Sequence, residues 1–388
     1  MANKIIRSYF IFNFLYSFFS ACGHAIIVLL WQDIGLSMSE IALVNGLFFV
    51  ACFVFEVPTG IVADLFGRRL SVIIGVIISA ISYMVYGYSY SFWGCLFAEL
   101  TLAFGISFIS GALDAWLKDS LDFHNHKANL TKHFSNGEIF IRIASAISGF
   151  GGALFFISDY HLAYVVSSLG LMITALISLF IIREDYFTKQ NKKIKEGFLQ
   201  IIKVSWQYGW KNKIVWQIIL SMGLMAFAFQ PFNLHWSLVI KDKLGAEAVS
   251  YGWLGVKVFE FVGLLILSLL AEKKIAGKYF LQISGLLIFI CIIPMSLFNN
   301  GWLILIFFWF HEVGRGIFNP TRKALIQENI PSDARATIGS FAEMIMRFFM
   351  AIGWFSAGFF SDYFSYKILW LATLPILLLA VLQSAKIK

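Results

Sequence analysis

Apolar runs of roughly 20 residues recur from one end of this chain to the other, and each is long enough to cross a ~30 Å hydrocarbon core. No other feature restricts folding as severely. Lipid offers the backbone no hydrogen-bond partners, so only helices and closed barrels can span it. Barrel strands alternate polar and apolar residues, and these runs do not. Charged residues make up 13% of the chain, against about 25% in soluble domains. The fold class expected is an all-α membrane protein of twelve transmembrane helices in two six-helix pseudo-symmetric halves. The spans are placed at 5–31, 41–63, 71–90, 92–117, 133–157, 161–182, 214–240, 248–271, 278–297, 301–323, 334–361 and 365–385.

An even count places both termini on one side, and charge says which. With the termini inside, inner segments hold Lys4, Arg7, Arg68, Arg69, Lys118, Lys127, Lys132, the Arg183–Lys213 run, Lys273, Lys274, Lys278, Arg322, Lys323, Arg335, Lys386 and Lys388. Outer loops hold only Lys241, Lys243 and Lys367. That is the positive-inside pattern, and it predicts cytoplasmic termini in a plasma membrane. The net charge of +8 is thereby assigned to topology, and nucleic-acid binding is excluded as an expectation. The run from Ile5 to Leu30 is too long for the core of a cleavable signal, and no clear small-residue cleavage site appears. Cys22, Cys52, Cys95 and Cys291 lie inside apolar runs without ligand-like spacing, so packing is their expected role. Trp31, Trp236 and Trp302 fall where interfacial anchors belong.

The segment "REDYFTKQNKKIKEGFLQIIKVSWQYGWKNK", Arg183 to Lys213, divides the chain into an N-terminal half (1–182), a cytoplasmic linker (183–213) and a C-terminal half (214–388). From Ile194 to Trp210 its apolar residues fall at helical intervals among basic ones, which predicts an amphipathic helix on the membrane surface. The halves repeat. A shift of 205 lays "SNGEIFIRIASAISGF" on "SFAEMIMRFFMAIGWF", so that Glu138 meets Glu343 and Arg142 meets Arg347. The same shift brings Gly111 onto Gly316 and Lys118 onto Lys323. Repeated halves are a hallmark of secondary transporters.

Between spans two and three stands "GIVADLFGRR". Gly60, Asp64, Gly67, Arg68 and Arg69 resemble the G-x-x-x-D-x-x-G-R-[RK] signature of the major facilitator superfamily, in the loop where that family carries it. "EVPTG", "SGALDAWLKDSL" and "ENIPSDARATIGSF" look like bacterial members of drug-efflux type. The resemblance implies that this loop is a conformational latch, with Asp64 and Arg68 making and breaking contacts, and that spans one, four, seven and ten line the transport cavity. Span five departs from the antiporter pattern: "SAISGFGGALF" supplies Gly149, Gly151 and Gly152 but no proline.

Charge inside a membrane is costly and marks function by default. Glu138 with Arg142, Lys257 with Glu260, Glu312 with Arg315, and Glu343 with Arg347 are each spaced one helical turn apart, on one face. His311 adjoins Glu312 near mid-depth of span ten, so these groups are candidates for the substrate cavity. His24 in span one and Glu99 in span four have no partner on their own helices. Both fall in the outer half of the bilayer and can meet; with Asp114 they are the candidates for proton coupling. The function expected is secondary active transport, as a proton-coupled exporter of small amphipathic organic molecules by alternating access. The alternatives are a transporter of one metabolite or siderophore, and a non-transporting receptor or assembly factor. Neither an enzymatic constellation nor a metal or cofactor motif is seen, and a monomer driven by a proton gradient is expected.

Overall fold

The computed structural model describes residues 1–125, 130–155, 157–186, 210–271, 277–330 and 335–387. Among them every regular element is helical, and twelve helices are long and apolar enough to cross a membrane. They run Ala2–Asp33, Met38–Phe66, Arg68–Gly87, Phe92–Phe123, His133–Phe155, Tyr160–Ile181, Lys213–Leu244, Ala248–Leu270, Gly277–Leu297, Gly301–Ile326, Ile338–Ser361 and Tyr366–Ala385. The amphipathic helix expected over 194–210 lies, except for Trp210, outside the described residues.

Several helix starts follow directly from local sequence. Ser91, Asp159, Asn212 and Asn300 each cap a span by accepting a hydrogen bond from a backbone N–H two or three residues on. Ser37 and Glu40 form a reciprocal capping box at span two. Between spans two and three a single non-helical residue, Gly67, makes the turn with φ +100°. An L side chain rarely adopts that backbone conformation, so the signature glycine is a steric requirement.

Four spans are interrupted. Span one breaks at Ala25–Ile26, span four at Ser110–Gly111 (Gly111 φ +73°), span seven at Phe229 and span twelve at Thr373. Carbonyls near the first break are taken up by tyrosines: Tyr83 donates to the Ser20 carbonyl at 2.8 Å and Tyr164 to that of Gly23 at 2.9 Å. Freed backbone groups inside a membrane protein need such partners.

The chain forms two compact units. One comprises the described residues of Met1–Gly35 and Val54–Gly197; the other comprises those of Leu36–Phe53 and Phe198–Lys388. The first part of span two thus groups with the second unit, a division different from the one expected at the linker alone. Within that unit it packs on span eleven, where Gly358 meets Ala42 and Gly46 lies under the Phe355 ring. In the first unit, spans three and four cross at Gly75 and Gly105, where an added Cβ would lie 2.6–2.9 Å from the opposite backbone carbonyl. Ser71 and Ser82 of span three also donate to carbonyls of span four at 2.7 Å. In the second unit, Gly263 of span eight and Gly316 of span ten press against Val313 and Glu260 backbone in the same way. Small residues at helix contacts are how membrane bundles gain dispersion energy without a hydrophobic drive.

The four cysteines are buried free thiols. Trp302 is exposed, as an anchor should be, but Trp31 is fully buried against Tyr86 and Trp236 stacks on Phe308. Trp31 fails as an anchor because neighbouring side chains cover it completely, a packing fact that hydropathy does not carry.

Candidate functional site

The loop after span two is built as a charged clasp. Arg68 reaches Asp119 of span four at 3.2 Å and Asp64 of its own turn at 3.6 Å. Asp64 is 69% exposed, so Asp119 is the closer and better sheltered partner. The carboxylate of Glu184, three residues past span six, accepts the backbone N–H of Arg68 at 2.8 Å and of Arg69 at 2.9 Å. It therefore caps span three, where the helix dipole favours negative charge. A Cβ on Gly67 would stand 2.7 Å from that carboxylate, so the glycine serves both the turn and the cap. Arg69 donates to the Leu179 carbonyl at 2.8 Å, and the Trp116 indole to the Arg183 carbonyl at 2.7 Å, tying the end of span six to spans three and four. Gly60 has open space around its Cα and makes no close approach. Burial, with the Glu184 and Asp119 carboxylates nearby, pushes the Tyr186 phenol up, so it stays a hydroxyl donor.

Glu99 is 3% exposed and lies among Tyr83, Tyr86 and Tyr164, with Cys95 one turn before it. The buried Tyr86 hydroxyl has no hydrogen-bond partner among the described residues, and none of them forms an ion pair with Glu99. His24, at the last turn before the break, is exposed, whereas Glu99 is enclosed. Asp114 lies on the other part of span four, where it accepts the Tyr9 hydroxyl at 2.7 Å. Glu138 adds its field to the same tyrosine, which joins spans one, four and five around Tyr9, Asp114 and Glu138. Arg142 follows Glu138 by one turn on span five.

The second unit holds a continuous hydrogen-bond chain. Gln230, just past the break in span seven, donates to the Ala226 carbonyl and accepts from Asn233 at 2.9 Å. Asn233 Oδ1 accepts from Arg315 Nη1 at 3.1 Å, and the same nitrogen reaches Glu312 Oε1 at 3.1 Å. His311 Nδ1 also meets Glu312 Oε1, at 3.0 Å. His311 and Glu312 are wholly buried, and the Arg315 guanidinium lies 5.0 Å over the Phe229 ring. Lys257 and Glu260 of span eight pair at 3.1 Å nearby, with Lys257 over the Trp253 ring.

Two of the expected one-turn pairs are therefore closed as drawn, Lys257–Glu260 and Glu312–Arg315. Glu343 takes a different partner: Arg322 of span ten binds it at 2.5 Å, while Arg347 donates to the Cys52 carbonyl at 3.3 Å. Long flexible side chains choose whichever helix face the packing presents, and spacing along one helix does not record that. The aligned Gly111 and Gly316 also part company, one opening a helix break and the other letting two helices touch. Tyr9, Asp119, Glu184, Gln230 and Asn233 escaped the sequence reading, and Arg322 entered it only as a topogenic cation. Gln230 and Asn233 had a signal, two amides three residues apart inside the apolar run "AFAFQPFNLHW".

Twelve spans, repeated halves, interrupted helices and paired charges at membrane depth define a polytopic helical transporter fold. The sequence profile of the Major Facilitator Superfamily matches residues 9–346. The chain belongs to that superfamily, and its twelve membrane-length helices make it a multi-pass membrane protein. The uncharacterized MFS-type transporter YxaM of Bacillus subtilis (strain 168) is 24% identical over 249 residues, 64% of this chain and 61% of that protein. The match thus spans less than two thirds of that relative's length. Among solved structures, the nucleoside transporter NupG superposes with a TM-score of 0.80 over 99% of this chain and 98% of its own, at 14% identity. A bacterial homolog of the human lysosomal transporter Spinster, inward-facing and occupied, gives 0.78 over 98% and 95%, at 14% identity. A POT family transporter in complex with 5-aminolevulinic acid gives 0.76 over 99% and 96%, at 13% identity. At these identities the likeness is one of fold.

Proposed function

We propose that this chain is a proton-coupled exporter of small amphipathic organic molecules, working by alternating access. It would sit in a bacterial plasma membrane with both termini in the cytoplasm, as a monomer without cofactor. The observation that carries the coupling is Glu99: a buried carboxyl group among Tyr83, Tyr86 and Tyr164, two of which bind carbonyls at the break in span one, with no ion pair to it among the described residues. Such a group can take a proton from one side and release it to the other. Asp114 and Glu138 around Tyr9 offer a second protonatable station, and the exposed His24 at the break links the site to solvent.

A second reading, transport of one polar metabolite, is supported by the Asn233–Arg315–Glu312–His311 chain, which is more polar than an apolar solute requires. The receptor reading finds no support in a chain of buried charges beside interrupted helices. Proteoliposomes with an imposed pH gradient and a solute panel test the proposal. Export of several unrelated amphipathic compounds is expected, and movement of one polar solute alone would select the second reading. Glu99→Gln should abolish pH-driven accumulation but retain solute exchange, since the amide mimics the protonated acid. Normal pH-driven accumulation by that variant would remove Glu99 from the mechanism.

A further inference from the structure

Three buried atoms of the second unit have no hydrogen-bond partner among the described residues: Glu312 Oε2, His311 Nε2 and Arg315 Nε. Leaving one such atom bare is costly, and three within five residues of one helix is a concentration that asks for a cause. Their chemistry is mixed. With Nδ1–H of His311 given to Glu312, its Nε2 is an acceptor, as is Glu312 Oε2, whereas Arg315 Nε–H is a donor. Among the described residues the surrounding charges are balanced, Lys257 and Arg315 against Glu260 and Glu312, with His311 a further titratable group in contact. The guanidinium is also held flat, by Asn233 and Glu312 at one nitrogen and by the Phe229 ring on its face.

We propose that these three atoms bind the polar end of the transported molecule, and that this end is a net-neutral group with a donor and an acceptor side by side, as in an amino-carboxylate zwitterion. Its N–H groups meet Glu312 Oε2 and His311 Nε2, and its oxygen meets Arg315 Nε. A lone cation or anion satisfies only one side and leaves a net charge in a buried, neutral cluster, which low dielectric makes expensive. Phe229 and Phe232, whose rings lie 6.2 and 5.0 Å from the His311 ring, provide the apolar neighbourhood for the rest of an amphipathic solute. Gln230 and Asn233 act as positioning residues, because they orient the guanidinium from span seven.

This inference rests on the transport reading above, and matched probes separate the two. Purified protein is titrated with phenylalanine, phenethylamine and 3-phenylpropanoate, and with tryptophan, tryptamine and indole-3-propanoate, following thermal stabilisation. In each set the zwitterion should bind at least tenfold more tightly than the cation or the anion. Glu312→Gln should weaken the zwitterion about tenfold and erase its advantage over the anion; Arg315→Gln should erase its advantage over the cation. Equal binding of either charged analogue to the wild type, binding of none of the six, or full discrimination in both variants overturns the inference. In that last case water, and not substrate, satisfies the three atoms. The transport reading fails separately, if reconstituted wild type moves no solute of a broad panel under a pH gradient.

Discussion

Removing the carboxylate that caps span three should loosen the signature loop by an amount the geometry sets. Glu184 accepts two backbone N–H bonds, at 2.8 and 2.9 Å, at a helix N-terminus. Deleting a capping acceptor costs about 0.5–2 kcal/mol, and a negative charge at that end adds roughly 0.3–1 kcal/mol. The terms overlap, because the same charge makes the bonds, so Glu184→Ala should cost about 1–2 kcal/mol locally. Every ~1.4 kcal/mol is tenfold in an opening equilibrium, so the Arg68 and Arg69 amides should exchange hydrogen roughly 5–30 times faster. Gly67→Ala should do comparable damage by two routes: a φ of +100° that costs of order 1 kcal/mol, and a Cβ 2.7 Å from the Glu184 carboxylate. Only the second route requires Glu184. The double variant should therefore be less impaired than the sum, with a coupling of at least ~0.5 kcal/mol. Hydrogen exchange by mass spectrometry across 64–72, with thermal melts of the purified protein, measures all four corners. Strict additivity, or unchanged exchange in Glu184→Ala, refutes the cap.

Asp64→Asn should slow transport with membrane insertion intact, since a charge is lost from a loop expected to make and break contacts; wild-type turnover would reduce Asp64 to a topological role. Tags on both termini and within 187–209 should react only from the cytoplasmic side of intact cells, and outside labelling of any one would overturn the span orientation. Arg322→Gln should destabilise by about 1–3 kcal/mol, below the range for fully buried pairs because Glu343 is one-third exposed. Adding Glu343→Gln should recover part of that loss in thermal melts, and a further full-sized drop would show that the two side chains act independently.

The helical membrane class and the twelve spans were legible in sequence because each depends on local physics, as do the caps that the structure shows at Ser91, Asp159, Asn212 and Asn300. A run of apolar residues meets lipid wherever it occurs, and a capping side chain reaches only a few residues along its own chain. The same holds for Gly67, whose turn must fit into one residue, and for the Lys257–Glu260 and Glu312–Arg315 pairs, which share a helix. Tertiary structure decided what depends on a neighbour. Glu343 found Arg322 on another helix, the helix dipole of span three found Glu184 more than a hundred residues away, and Trp31 found Tyr86 instead of the interface. It also decided that Glu99 is enclosed by tyrosines while His24 is exposed, and that the second half of span seven turns Gln230 and Asn233 toward Arg315. Where the partner of a buried polar group lies on another helix, its environment exists only once the helices have packed.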